Sequence, residues 1–202
     1  MSEHARLSPS SSKGWLKCAG RLVMESAFPN THNDSSDEGT AMHTVAKMCL
    51  TEVGWEAARA VGTKVPVNAE GEHIRVVVFT EEMAELTQGY VDTIRALAKT
   101  AVVVLIEHRV DFSEYVGVPD SFGTADAILL IPLDSGGFEL FCIDLKTGWV
   151  RVDPEHNTQA LFYALGAYRE FEMSHDIRQV RCGIFQPEHG GLREWVLPVG
   201  DM

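Results

Sequence analysis

The stretch FELFCIDLKTG, residues 138–148, constrains the fold more than any other part of the chain. Leu140, Phe141, Cys142 and Ile143 are the side chains of a sheet interior, and Asp144, Leu145 and Lys146 follow at once. Side chains alternate along a strand, so this acid and this base share a face. Upstream, TADAILLIP (124–132) reads as a second apolar strand, and LDSGG (133–137) between the two is a turn sequence. With the turn centred near Ser135, Asp126 falls opposite Asp144, within one residue of register. Opposed Cβ atoms in an antiparallel pair stand roughly 4.5–5.5 Å apart. Carboxylates that close repel unless a positive partner joins them. A divalent cation is the simplest one, since Mg2+ prefers oxygen ligands and is often held by one or two carboxylates with phosphate oxygens. Lys146 would then orient an attacking water or steady charge developing on a phosphate.

The remaining pattern places this hairpin in an α/β domain. Helices are expected over 13–25, 40–53 and 81–99, the second with Met42, Val45, Cys49 and Val53 at helical spacing, the third capped by Thr80. Residues 28–38 carry turn and loop chemistry, and 65–78 reads as a loop with a short strand. Near residue 100 the period changes, and 102–112 joins the two strands above as a third. Asp153 followed by Pro154 marks a helix start, with the helix continuing to about 172. Strands over 179–187 and 193–199 close the pattern. At 202 residues the expectation is one domain, 1–100 mostly helical and 101–202 sheet and helix.

Further polar residues interrupt apolar patterns. Gln159 and Tyr163 stand four apart and share a helix face about one turn from its start, where amides favour an anion. Glu107 breaks the apolar strand 102–110, and His43 lies at the edge of its helix stripe. The net charge of −12 argues against broad electrostatic coating of nucleic acid, though not against a local basic groove. Arg6, Lys13, Lys17, Arg21 and Lys47 offer such a patch. Cys18, Cys49, Cys142 and Cys182 form no CxxC pair, which excludes a cysteine zinc site of ordinary spacing. With no secretory signal and no apolar run of membrane-spanning length, the expectation is a reduced cytoplasmic protein, without membrane attachment.

Taken together and in order, these residues resemble the RecB-like branch of the PD-(D/E)XK nuclease superfamily. GTAMH (39–43) resembles its helix histidine motif, GTAD (123–126) its second motif, IDLKTG (143–148) its Asp-x-Lys motif, and QALFYALG (159–166) its glutamine–tyrosine helix motif. The opening LSPSSSKGWLKCAG (7–20) is similar to the N-terminal segment of a phage-encoded family in that branch. The resemblance implies a restriction-endonuclease-like core, a central mixed sheet flanked by helices, with an N-terminal helical segment. It also implies an Mg2+- or Mn2+-dependent deoxyribonuclease, in a host cytoplasm if phage-encoded. His43, Asp126, Asp144 and the Leu145 carbonyl would ligate the metal, and a histidine ligand suits Mn2+. Lys146 would position water and stabilise the transition state, with Glu107 a further acid. Gln159 and Tyr163 would hold the DNA strand or support the site, and Ser10, Ser12 and Lys13 would take a terminal phosphate. An exonuclease of phage recombination is the favoured activity, with a single-strand annealing protein as a recombination partner and a homo-oligomer admissible. A structure- or sequence-specific endonuclease and a non-catalytic nuclease-like binding protein are the alternatives.

Two departures from that branch stand out. Some relatives bind an iron–sulfur cluster through one N-terminal and three clustered C-terminal cysteines; here Cys182 stands alone, so no cluster is expected. The sequence stops at Met202, where relatives often carry further structure, so part of a DNA groove is expected to be missing or to come from another subunit.

Overall fold

Apolar strands with helices before and between them assemble as a three-layer α/β unit. A computed structural model describes residues 5–18, 20–25, 34–70 and 73–202. In chain order it contains α1 (Ser12–Trp15), α2 (Arg21–Glu25), α3 (Asp34–Thr51), a hairpin of β1 (Lys64–Glu70) and β2 (His73–Val78), and α4 (Glu81–Ala98). Then come β3 (Val103–Asp111), α5 (Ser113–Val116), β4 (Phe122–Pro132), β5 (Phe138–Leu145), α6 (Thr158–Phe171), β6 (Ile177–Gln186) and β7 (Gly191–Pro198). The large sheet has the order β3-β4-β5-β6-β7. Only β5 and β6 are parallel, and α6 lies between them in sequence, as a parallel pair requires a crossover.

The central strands β4 and β5 are buried on both faces, while the edge strands β3 and β7 are more exposed. Ala127, Leu129, Phe141, Ile143 and Leu145 pack with Met42 and Val45 of α3 and Tyr90 and Ile94 of α4. Ile128, Leu130, Leu140, Cys142 and Cys182 pack with Ala160, Ala164 and Ala167 of α6. The run LFCI is therefore continuous because alternate residues serve two different cores. Small residues on α6 let it sit close: a Cβ on Gly166 would lie 2.8 Å from Val110 Cβ.

Several boundaries differ from the sequence reading. The helix expected over 13–25 is broken into α1 and α2, and Gly20, a weak helix former, stands just before α2. Of the loop expected over 28–38, residues 28–33 lie outside the described residues, while 34–38 are helical. Asp34 and Asp37 stand in the first turn of α3, where negative charge is favoured. Of the span 65–78, residues 65–70 and 73–78 belong to the antiparallel pair β1 and β2, and 71–72 lie outside the described residues. The Asp153–Pro154 signal is used in a turn, Asn157 N–H donating to Pro154 O at 3.2 Å, and α6 starts four residues later. Asn157 is its true N-cap, its side chain accepting from Ala160 N–H at 3.2 Å. Gln159 is consequently the second residue of α6, in its first turn.

Candidate metal and phosphate site

The β4–β5 register sets Ala127 opposite Ile143 and Ile128 opposite Cys142, and one step further sets Asp126 opposite Asp144. There the backbone ladder stops. Asp126 Oδ2 instead accepts a 2.7 Å hydrogen bond from the Leu145 N–H, so a carboxylate continues what a carbonyl began. Both aspartates are buried.

The other edge of β4 is irregular at the same level. Ile106 pairs with Ala127 and His108 with Ala125, and Glu107 between them has φ of +50°. For a non-glycine residue this left-handed backbone costs on the order of 1–3 kcal/mol. Alternation of faces breaks here: Leu105 and Val110, like Ala125 and Ile128, all pack on the α6 side. Ile106 and Ala127 face α3 and α4. The break delivers Glu107 and Asp126 to His43 of α3, whose Nδ1 lies 3.3 Å from Asp126 Oδ1 and 3.7 Å from Glu107 Oε1. One ligand-type atom from each of the three lies within 4.8 Å of the other two. Burial opposes charge on the imidazole, but hydrogen bonds to Asp126 and Glu107 and the charges of Asp126 and Asp144 outweigh it, raising His43 to about 10.

Asp144 belongs to a second network. Lys146 Nζ lies 2.8 Å from Asp144 Oδ2, but off the hydrogen-bonding direction, so Oδ2 has a charge contact without a directed hydrogen bond. Gln159 joins the pair: its Nε2 donates to Asp144 Oδ1 at 2.9 Å, and its Oε1 accepts from Lys146 at 3.1 Å. The same Nε2 lies 3.1 Å from the Tyr163 hydroxyl oxygen. Burial pushes the Asp144 carboxyl up to about 6; Lys146 and His43 oppose the rise and the charge of Asp126 adds to it. Burial first, then the charge of Asp144, holds the Tyr163 phenol well above its ordinary value, so it stays neutral.

Of the four residues grouped as ligands by resemblance, His43 and Asp126 converge, and Glu107 completes their cluster. Asp144 stands beside it, paired with Lys146, and Leu145 gives its N–H to Asp126 while its side chain is buried in the core. Ser10, Ser12 and Lys13 share a cleft of about 470 Å3 with Lys146, Arg151 and Gln159. Ser12, 1% exposed, is hydrogen-bonded to Thr158 Oγ1 at 2.7 Å. The N-terminal segment seats on Gly123, where a Cβ would lie 2.6 Å from Pro9 and 2.8 Å from Tyr163. A more apolar cleft of about 370 Å3, walled by Ala58, Val61 and Ala84, contains none of these residues.

Gln186 was missed in the sequence. It is fully buried, and its Nε2 donates to the carbonyls of Gly148 and Val150. Its Oε1 accepts from Val152 N–H at 3.1 Å and Arg193 Nη2 at 2.9 Å. This one amide pins the loop that leaves Lys146. The available signal was the same as for Asp144, a polar side chain ending an apolar strand.

A family model described as "Protein of unknown function (DUF2800)" matches residues 4–202. The chain belongs to that family. Among the described residues, no helix is long and apolar enough to cross a membrane.

Proposed function

We propose that this DUF2800 protein is a divalent-metal-dependent deoxyribonuclease of the RecB-like PD-(D/E)XK type that its motifs resemble, acting as an exonuclease in phage-type DNA recombination or processing. The observation that carries the reading is the convergence of His43, Glu107 and Asp126 beside the buried Asp144–Lys146 pair. The element order supports it: a helical layer, three antiparallel strands, a helix, then a strand parallel to the third.

The donor set fits the metal. Carboxylate oxygens from Glu107 and Asp126 suit Mg2+ or Mn2+, and one imidazole nitrogen shifts the preference toward Mn2+. Asp144 Oδ2, buried without a directed hydrogen bond, is a further oxygen at the rim of that set. When bound, the cation supplies Lewis-acid polarisation of the phosphodiester and a more acidic water. Lys146 holds a positive charge between Asp144 and Gln159 at the wall of the cleft, where it meets a phosphate oxygen and orients water. Gln159 fixes the lysine from one side and the acid from the other. Ser10 and Lys13 supply a hydroxyl and a cation to the phosphate of the bound strand, beside the N-terminus of α6, while the buried Ser12 anchors this segment to Thr158.

Incubation with linear and circular DNA, in Mg2+, Mn2+ or chelator, tests the reading. Loss of linear DNA with either metal, none in chelator, and intact circles is the expected result; cut circles would move the assignment to an endonuclease. No cleavage with any metal, together with unchanged DNA binding by Lys146→Ala, would overturn it.

A further inference from the structure

The loop after Lys146 exposes two large apolar side chains, Trp149 at 75% and Val150 at 82%. Exposed loops seldom hold a tryptophan still, yet this backbone is fixed on both sides of it. Gln186 binds the carbonyls of Gly148 and Val150, His189 Nε2 lies 2.8 Å from the Trp149 carbonyl, and Arg193 Nη2 donates to Val152 O at 2.7 Å. An indole presented on a clamped backbone loses little conformational freedom when something lies against it.

The loop borders two different clefts. On one side, Val150 lines the cleft with Lys13, Lys146 and Arg151. On the other, Trp149 walls a smaller cleft of about 240 Å3 with Met42, Met83 and Leu86, rimmed by Glu38 and Glu188. Carboxylates at that rim repel a phosphodiester, whereas a flat uncharged ring finds an indole face and soft thioethers inside. A strand with its phosphate at Lys146 keeps its backbone on the cationic side. Three residues of chain span at most about 10 Å, so Trp149 meets a base next to that phosphate.

We infer that Trp149 is a stacking platform for an unpaired nucleobase adjoining the phosphate held at Lys146, so that the site takes single-stranded or frayed DNA ends in preference to closed duplex. This rests on the nuclease reading for the presence of DNA in the cleft. A base inside a duplex is already stacked on its neighbours and cannot enter the slot without being unpaired first.

The test uses the full chain in chelator, titrated with a short oligo(dT), the same oligo with abasic sites, and a blunt DNA hairpin, while tryptophan fluorescence is followed. The expected result is tightest binding to oligo(dT) with quenching of the emission. Trp149→Phe should keep the affinity and lose the quench, and Trp149→Ala should bind on the order of tenfold more weakly. The abasic oligo should bind wild type about as weakly as the intact oligo binds Trp149→Ala. Equal affinity of wild type and Trp149→Ala for oligo(dT), or of wild type for intact and abasic strands, overturns the platform. Cleavage by wild type with Mn2+ is scored separately. If cutting persists while stacking fails, the nuclease reading stands alone; if stacking holds without cutting under any metal, the platform stands and the nuclease falls.

Discussion

Asp126 and Asp144 stand opposite one another in register but are held in different ways. Asp126 shares a single imidazole with Glu107 and takes one backbone N–H, so two carboxylates converge on one cation, the proton of His43. Asp144 has a lysine of its own and an amide that ties acid and base together. The first corner depends on whatever positive charge occupies it, and in the metal-free protein that charge is a proton. The second has a fixed cation in Lys146, although burial still outweighs it at Asp144. A divalent cation therefore has most to gain at the first corner, where it must displace a proton to bind.

Substitution at each corner should separate their roles. Asp126→Ala and Lys146→Ala are each expected to slow DNA cleavage by on the order of 100-fold or more, measured with linear DNA in Mn2+. Only Asp126→Ala should also abolish the rise in melting temperature that Mn2+ gives the wild type. A Mn2+ shift surviving Asp126→Ala would place the metal elsewhere and collapse the distinction.

pH should divide the corners next. The folded-state pKa of His43, about 10, lies above its ordinary 6.5, so its contribution to stability is complete below pH 6.5 and is lost as pH rises through 10. Asp144 is also raised, from 3.8 to about 6, so its contribution is complete below 3.8 and gone above about 6. In chelator, melting temperature should therefore fall through two windows; His43→Gln should remove the upper fall and move the lower one to higher pH, because His43 opposes the rise of Asp144. Mn2+ stabilisation should grow across the upper window as the competing proton leaves.

Glycine substitutions give smaller effects. Gly123→Ala drives a methyl into Pro9 and Tyr163, and about 1–3 kcal/mol of stability should be lost on chemical denaturation. Gly39→Ala, on α3, meets only the Thr147 hydroxyl at 2.7 Å, which can rotate away. It should cost under about 1.5 kcal/mol on the same measurement. A larger loss there would show that Thr147 is held more firmly than its contacts indicate.

Much of the sheet was legible because strand register follows from turn position and a two-residue repeat, and the β4–β5 ladder runs in the register expected from a turn near Ser135. Glu107 shows where such reading ends. A polar residue in an apolar strand marks a site without saying which way it points, and its left-handed backbone turns it toward α3 only because the flanking pairs on β4 hold. Asp153 and Pro154 carried a strong helix-start signal, yet His156, with φ of +54°, keeps the chain out of helix until Asn157. Gln186 acts on a loop 34 to 38 residues away in sequence, a distance no local pattern encodes.

The N-terminal segment is stitched to the middle of the chain at several points. Arg6 N–H donates to Asp120 O at 2.8 Å, Leu7 bridges Ser121, Pro9 sits on Gly123, and Ser12 bonds Thr158. One wall of the cleft is thus made by residues near 10, and its floor by residues near 150. At about 5–20 residues per second, the two are born on the order of ten seconds apart. A growing chain holds only half a cleft, and whatever binds there has nothing to bind until α6 has emerged.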